Sequence, residues 1–199
     1  MVFKRYSKNS TEAEKAKIVF QFAVMLILSV VGGICFSNML TPTAIQRFTA
    51  KLYISFNASS SDVSFLDIFS KIALVDVACV LLLFVFSFSF INYVVSDITI
   101  LFYGFRFGVN SAVIKLAGFE QLGIGNSLVF WILKGLLLLF VLLYACLAAF
   151  KSLELRKAGV SRRTTINNKS LFRIVLYTIS AIIITLLIDG LYCLLIYVL

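Results

Sequence analysis

Long apolar runs separated by short polar segments organise this chain. About 20 apolar residues cross the roughly 30 Å of hydrocarbon in a bilayer. On that ruler the pattern predicts five helices, over 18–40, 72–95, 98–116, 124–150 and 174–199. Four of these runs are unambiguous. The third contains Arg106 and Lys115 and begins just after Asp97, so by hydropathy alone it reads as a crossing or as a re-entrant segment.

Charge decides between the two. Residues 1–17 carry Lys4, Arg5, Lys8, Lys15 and Lys17 against Glu12 and Glu14, and the segment 151–173 carries seven basic residues against Glu154. Basic flanks stay in the cytoplasm, and only an odd number of crossings between start and end puts both there. The expected architecture is therefore all-α: a polytopic integral membrane helical bundle with five transmembrane helices. It has a basic cytoplasmic N-terminus (1–17), a single transmembrane domain (18–199), an external segment (41–71), a basic cytoplasmic loop (151–173) and an external C-terminus. The first run follows a basic stretch, as a signal peptide would. It is longer than a signal peptide's apolar region and no small-x-small cleavage site follows it, so it reads as an uncleaved signal-anchor.

Composition sharpens the picture. Of 199 residues, 61% are hydrophobic and 14% charged, whereas soluble domains hold about 45–50% and about 25%. The chain has no histidine, which removes the commonest acid/base and metal-ligating side chain. No Ser/His grouping, zinc-protease motif or suitably spaced carboxylate pair is present, so the reading is non-enzymatic, with no catalytic residue, metal or cofactor. Cys35, Cys79, Cys146 and Cys193 fall in four different spans without paired spacing and read as small buried apolar residues. The net charge of +9 sits mostly at membrane flanks, which points to anionic lipid as the counter-charge and away from nucleic acid.

The external segment is patterned. Thr41-Pro42 is a helix cap and first turn, after which Ile45, Phe48, Leu52 and Phe56 recur at helical spacing. Ser64-x-x-Asp67 then resembles a capping box that starts the second helix before the membrane. The apolar face of this short amphipathic helix has two readings: it lies on the membrane or its own bundle, or it is a face for membrane or outer-side protein partners.

Within the spans, Asp76, Arg106, Lys134 and Asp189 each need a partner, because an isolated charge at mid-bilayer costs from about 2.5 to more than about 10 kcal/mol. Counting 1.5 Å per residue from the span ends places Asp76, Asp189, Lys134 and Arg106 between the outer surface and about the middle of the bilayer. Two acids and two bases from four spans thus match in depth, as two ion pairs in one interior or as groups along an ion path. Gly104 and Gly108 in the third span form a GxxxG face for close helix packing, with Asn110 placed for an interhelical hydrogen bond.

The order of these elements resembles the stage II sporulation protein M family of bacterial membrane proteins. The residues that carry it are Val-Val-Gly-Gly at 30–33, Tyr-Gly-Phe-Arg-Phe-Gly-Val-Asn at 103–110, and the Gly118-Phe119 turn, within a motif region of 101–125. The following span departs from the family pattern by running from Val129 to Lys134 without proline. The resemblance implies a bacterial cell membrane location and a non-enzymatic scaffold that recruits cell-wall-remodelling partners during sporulation or a related envelope process. The alternative from another class is a membrane-spanning subunit of a transporter or export system.

Overall fold

The structure, a computed structural model, describes residues 2–41, 43–45, 65–87, 91–117, 124–157 and 168–198. Among them it is helical, with no strand. Five long helices follow one another: α1 (Val2–Asn38), α2 (Phe65–Phe86), α3 (Asn92–Ala117), α4 (Ile124–Lys157) and α5 (Asn168–Val198). Four contain stretches long and apolar enough to cross a membrane, namely Glu12–Asn38, Phe69–Phe86, Ser127–Lys151 and Phe172–Leu195. The chain is thus built as a multi-pass membrane protein. α3 falls below that apolarity because Arg106, Asn110 and Lys115 dilute it.

The helix boundaries correct the hydropathy reading in one place. The run 72–95 is not one helix: α2 stops at Phe86 and α3 takes residues 92–95. Ser87 ends α2 by turning its backbone N–H (3.1 Å) and its hydroxyl (2.7 Å) onto the Phe84 carbonyl. The turn was invisible to hydropathy because Phe and Ile residues continue through it. At its other end α2 begins at Phe65, seven residues before the apolar run; Ser64 of the expected capping box lies outside the described residues.

Successive helices alternate in direction. α1 and α3 run parallel, since Gln21 faces Asp97, Gly104 meets Leu26 and Ser29, and Ser37 reaches Val109. α4 and α5 are antiparallel, through Phe130 with Tyr192, Lys134 with Asp189 and Tyr144 with Thr178. The start of α2 (Phe65, Phe69) clusters with the ends of α3 (Ile114) and α5 (Tyr192). Lys15 lies 5.5 Å from the ring centre of Phe150, so the basic N-terminal flank and the basic end of α4 share one end of the bundle.

Helices α2, α3, α4 and α5 pack in a ring, each touching the next, and α1 lies outside it against α3 and α4. The buried core contains Phe22, Leu83, Ile100, Leu137 and Val141. Outward-facing positions are large and apolar, among them Phe20, Leu28, Leu74, Ile132, Phe172 and Leu187. Such a surface suits hydrocarbon, not water. Several buried hydroxyls are satisfied within their own helices, as when Thr185 donates to Ala181 O (2.9 Å) and Ser29 to Leu26 O (2.8 Å), which lets polar residues sit at membrane depth.

The α1–α3 contact depends on glycine. A side chain on Gly108 would run into the Val30 backbone, one on Gly33 into the backbone of Phe105 and Val109, and one on Gly104 into Ser29. Gly32, one residue from Gly33, faces open space. Gly108→Ile is therefore expected to destabilise the protein by about 1–3 kcal/mol through forced separation of backbones. Gly32→Ala should change stability by less than about 0.5 kcal/mol. Unfolding titrations in mixed micelles measure both, and equal stability of the two variants contradicts this packing.

Candidate functional site

Each helix of the ring contributes one charge to its centre: Asp76 from α2, Arg106 from α3, Lys134 from α4 and Asp189 from α5. The structure brings all four together. They form one linked network, not two separate pairs. Arg106 Nη1 lies 3.0 Å from Asp76 Oδ1, while Lys134 Nζ bridges both acids, 3.4 Å from Asp76 Oδ2 and 2.6 Å from Asp189 Oδ1. Both aspartates are fully buried, Lys134 is nearly so, and about a third of the Arg106 side chain (34%) is exposed. The formal charges sum to zero, which is what a low-dielectric interior requires of ions that stay ionised.

Two tyrosines that the sequence reading did not single out complete the network. The Tyr103 hydroxyl donates to Asp76 Oδ1 at 3.0 Å, and Lys134 Nζ sits 4.8 Å from the centre of the Tyr192 ring. Each tyrosine lies three residues from a network charge, Tyr103 before Arg106 and Tyr192 after Asp189, so each shares a helical face with it. That spacing was the available signal.

Asp76 therefore has a donor on each oxygen, accepting from Tyr103 and Arg106 at Oδ1 and from Lys134 at Oδ2. Asp189 does not: its Oδ2 is buried with no hydrogen-bond partner among the described residues. A cavity of about 140 Å³ adjoins the network, with polar walls from Asp76, Arg106, Lys134, Tyr103 and Asn110 and an apolar wall that includes Phe107 and Phe130. Those two rings stack at 5.8 Å, and Phe130 meets Tyr192 edge-on at 6.2 Å.

Other expectations fall out as follows. Gly104 and Gly108 receive α1 of the same chain, so this face is spent internally. Asn110 lines the cavity, and its side chain makes no interhelical hydrogen bond among the described residues. It points toward the ring interior, away from the α1 seam that the glycines form. Cys146 and Cys193 are buried as expected, but Cys79 is only half-buried and Cys35 is exposed. Thr41 does cap a helical turn: its carbonyl accepts from Ile45 N–H (3.0 Å) and its hydroxyl from Ala44 N–H (3.4 Å). Ile45 is half-buried; Phe48, Leu52 and Phe56 lie outside the described residues. A second polar group occupies the opposite part of α3, where Ser96 donates to Asn92 Oδ1 at 3.4 Å.

Breaking the network from one side leaves a buried charge unpaired. Lys134→Met is expected to cost about 3–5 kcal/mol of stability because Asp189 loses its only ionic partner among the described residues. Adding Asp189→Asn to that variant should restore much of the loss, since the one uncompensated carboxylate disappears. A double-mutant cycle read by detergent unfolding checks this, and additive losses would contradict the geometry.

None of the known family models, curated proteins or solved structures matches this chain.

Proposed function

We propose that this chain is a five-span protein of a bacterial cytoplasmic membrane, with both basic segments in the cytoplasm, and that it works as a non-enzymatic scaffold. Three features support the topology. The helices alternate in direction. α3 lies along α1 from Asp97 beside Gln21 to Val109 beside Ser37, at the depth of an apolar span. The N-terminal flank and the end of α4 meet at Lys15 and Phe150, which satisfies the positive-inside rule only if α3 also crosses.

The scaffold reading is carried by the closed charge network. Four helices are tied at their centre by ions that neutralise one another, which suits a fixed framework. The resemblance of residues 103–110 to the stage II sporulation protein M pattern adds the expectation of envelope-remodelling partners. Anionic lipid would hold the basic flanks, and the segment that begins at the Thr41 cap would meet membrane or outer-side protein partners through Ile45, Phe48, Leu52 and Phe56. A second reading, a membrane-spanning transporter subunit, is favoured by one observation, the cavity beside Lys134 and Arg106.

Two experiments test these readings. Cysteine labelling in intact cells is expected to report an external site appended after Leu199 and a cytoplasmic one between α4 and α5; a cytoplasmic C-terminus would reject five spans. Replacing Ile45, Phe48 and Leu52 together with serine should leave insertion and abundance unchanged while removing co-purifying outer-side partners. A degraded variant would instead assign that face to the protein's own packing.

A further inference from the structure

The cavity beside the charge network has chemistry that neither a framework nor a lipid-filled gap requires. Its one lining carboxylate, Asp76, already carries a donor on each oxygen. Its donors are in surplus. A guanidinium carries five N–H groups, and Arg106 makes one hydrogen bond, to Asp76, among the described residues. The Asn110 amide is likewise unengaged among them. A site with surplus donors, one of them cationic, takes an acceptor, and a planar guanidinium matches a carboxylate best. Phe107 and Phe130 give the same cavity an apolar wall. Its volume of about 140 Å³ is close to that of a cavity that admits benzene, at about 150 Å³.

Charge balance then dictates the rest. The network is neutral, so a carboxylate alone would leave one uncompensated negative charge in a low-dielectric interior, at a cost of several kcal/mol. A proton entering with it removes that cost. Asp76 cannot take the proton without losing donors that already bind it. Asp189 can, because its Oδ2 is the one buried carboxylate oxygen of the network without a partner among the described residues. The charged and titratable groups around Asp189 are Asp76 from α2, Lys134 from α4, and Tyr192 and Cys193 on its own helix, with Arg106 from α3 acting on Tyr192.

We propose that this cavity binds a small monocarboxylic acid of about six heavy atoms, held as the carboxylate on Arg106 and Asn110 while a proton rests on Asp189. No covalent bond of the ligand is broken: the carboxylate enters as the anion, a proton from solvent joins Asp189, which lies behind the cavity-lining Lys134 at 2.6 Å, and the total charge of the site is unchanged. This site goes beyond the scaffold reading and stands or falls without it. It would give the protein a response to a metabolic acid whether or not it assembles partners.

The test uses the full-length protein in phospholipid nanodiscs, titrated calorimetrically with butyrate in buffers of different ionisation enthalpy, with empty nanodiscs as the blank. The expected result is uptake of about one proton per butyrate bound, so that affinity falls about tenfold for each pH unit above the range in which Asp189 holds its proton. Asp189→Asn mimics the protonated acid and leaves one excess cation. It is expected to bind butyrate independently of pH and more tightly than the unaltered protein at about pH 8. Arg106→Gln should abolish binding. No butyrate binding by either the unaltered protein or Asp189→Asn overturns the proposal, as does binding without proton uptake, equal binding of butyramide, or binding of palmitate but not butyrate. Should Asp189→Asn fail to fold, proton uptake by the unaltered protein decides the matter alone. Partner capture by the scaffold is read separately, so loss of either property leaves the other standing.

Discussion

Electroneutrality inside the ring is the constraint on which the rest of this structure depends. Four helices that pack by apolar contact alone could slide or rotate against one another with little penalty, because lipid offers each the same kind of contact. A charge on each removes that freedom. Asp76, Arg106, Lys134 and Asp189 must meet at one depth and face one another, and this fixes the register and rotation of α2, α3, α4 and α5 together. Lys134 is the linchpin, since it alone touches both acids. Stability is not the main gain, because a well-packed apolar interior would serve as well or better; what the ions supply is a single arrangement.

The same constraint explains how a helix as polar as α3 belongs in the bundle. Its Arg106 is neutralised by Asp76, its Tyr103 hydroxyl is bonded to the same carboxylate, and its glycine face is covered by α1. Taken alone α3 is not apolar enough to cross a membrane, but its polar groups are directed at partners on other helices and not at lipid. Hydropathy sums side chains as though all met hydrocarbon, so it undervalues a helix sandwiched between others.

Much of the candidate site was legible in the sequence, and for a simple reason. Apolar runs locate helix ends, a fixed rise per residue converts position into depth, and charges at equal depth in an apolar interior have few partners to choose from. Asp76, Arg106, Lys134 and Asp189 emerge from that arithmetic. Depth carries no information on azimuth, however, so it could not show that Lys134 bridges both acids, or that Gly104 and Gly108 serve α1 while Asn110 turns to the cavity. The break at Ser87 was hidden because a helix end made by a backbone turn leaves no mark where the flanking residues stay apolar. Tyr103 and Tyr192 were overlooked because aromatic residues are common throughout the chain. Only their spacing from Arg106 and Asp189 distinguishes them.

The two kinds of contact divide the molecule mechanically. Within the ring, separating any two helices pulls an ion from its counter-ion in a medium that solvates neither, which costs several kcal/mol per ion. Between α1 and the ring the four ions of the network take no part, although Gln21 of α1 meets Asp97 and Lys15 meets the Phe150 ring. That seam is held by backbone proximity at Gly33, Gly104 and Gly108, by the Ser37 hydroxyl reaching Val109 O at 3.4 Å, and by the Phe36–Phe105 ring contact at 5.5 Å. These are short-range dispersion and weak polar contacts, and lipid tails can replace most of the dispersion when helices part. Parting α1 from α3 therefore leaves the ion pairs of the network intact, whereas opening the ring breaks them. Since α1 leads directly to the Thr41 cap, such a separation would carry that cap with it while the charged centre stays intact.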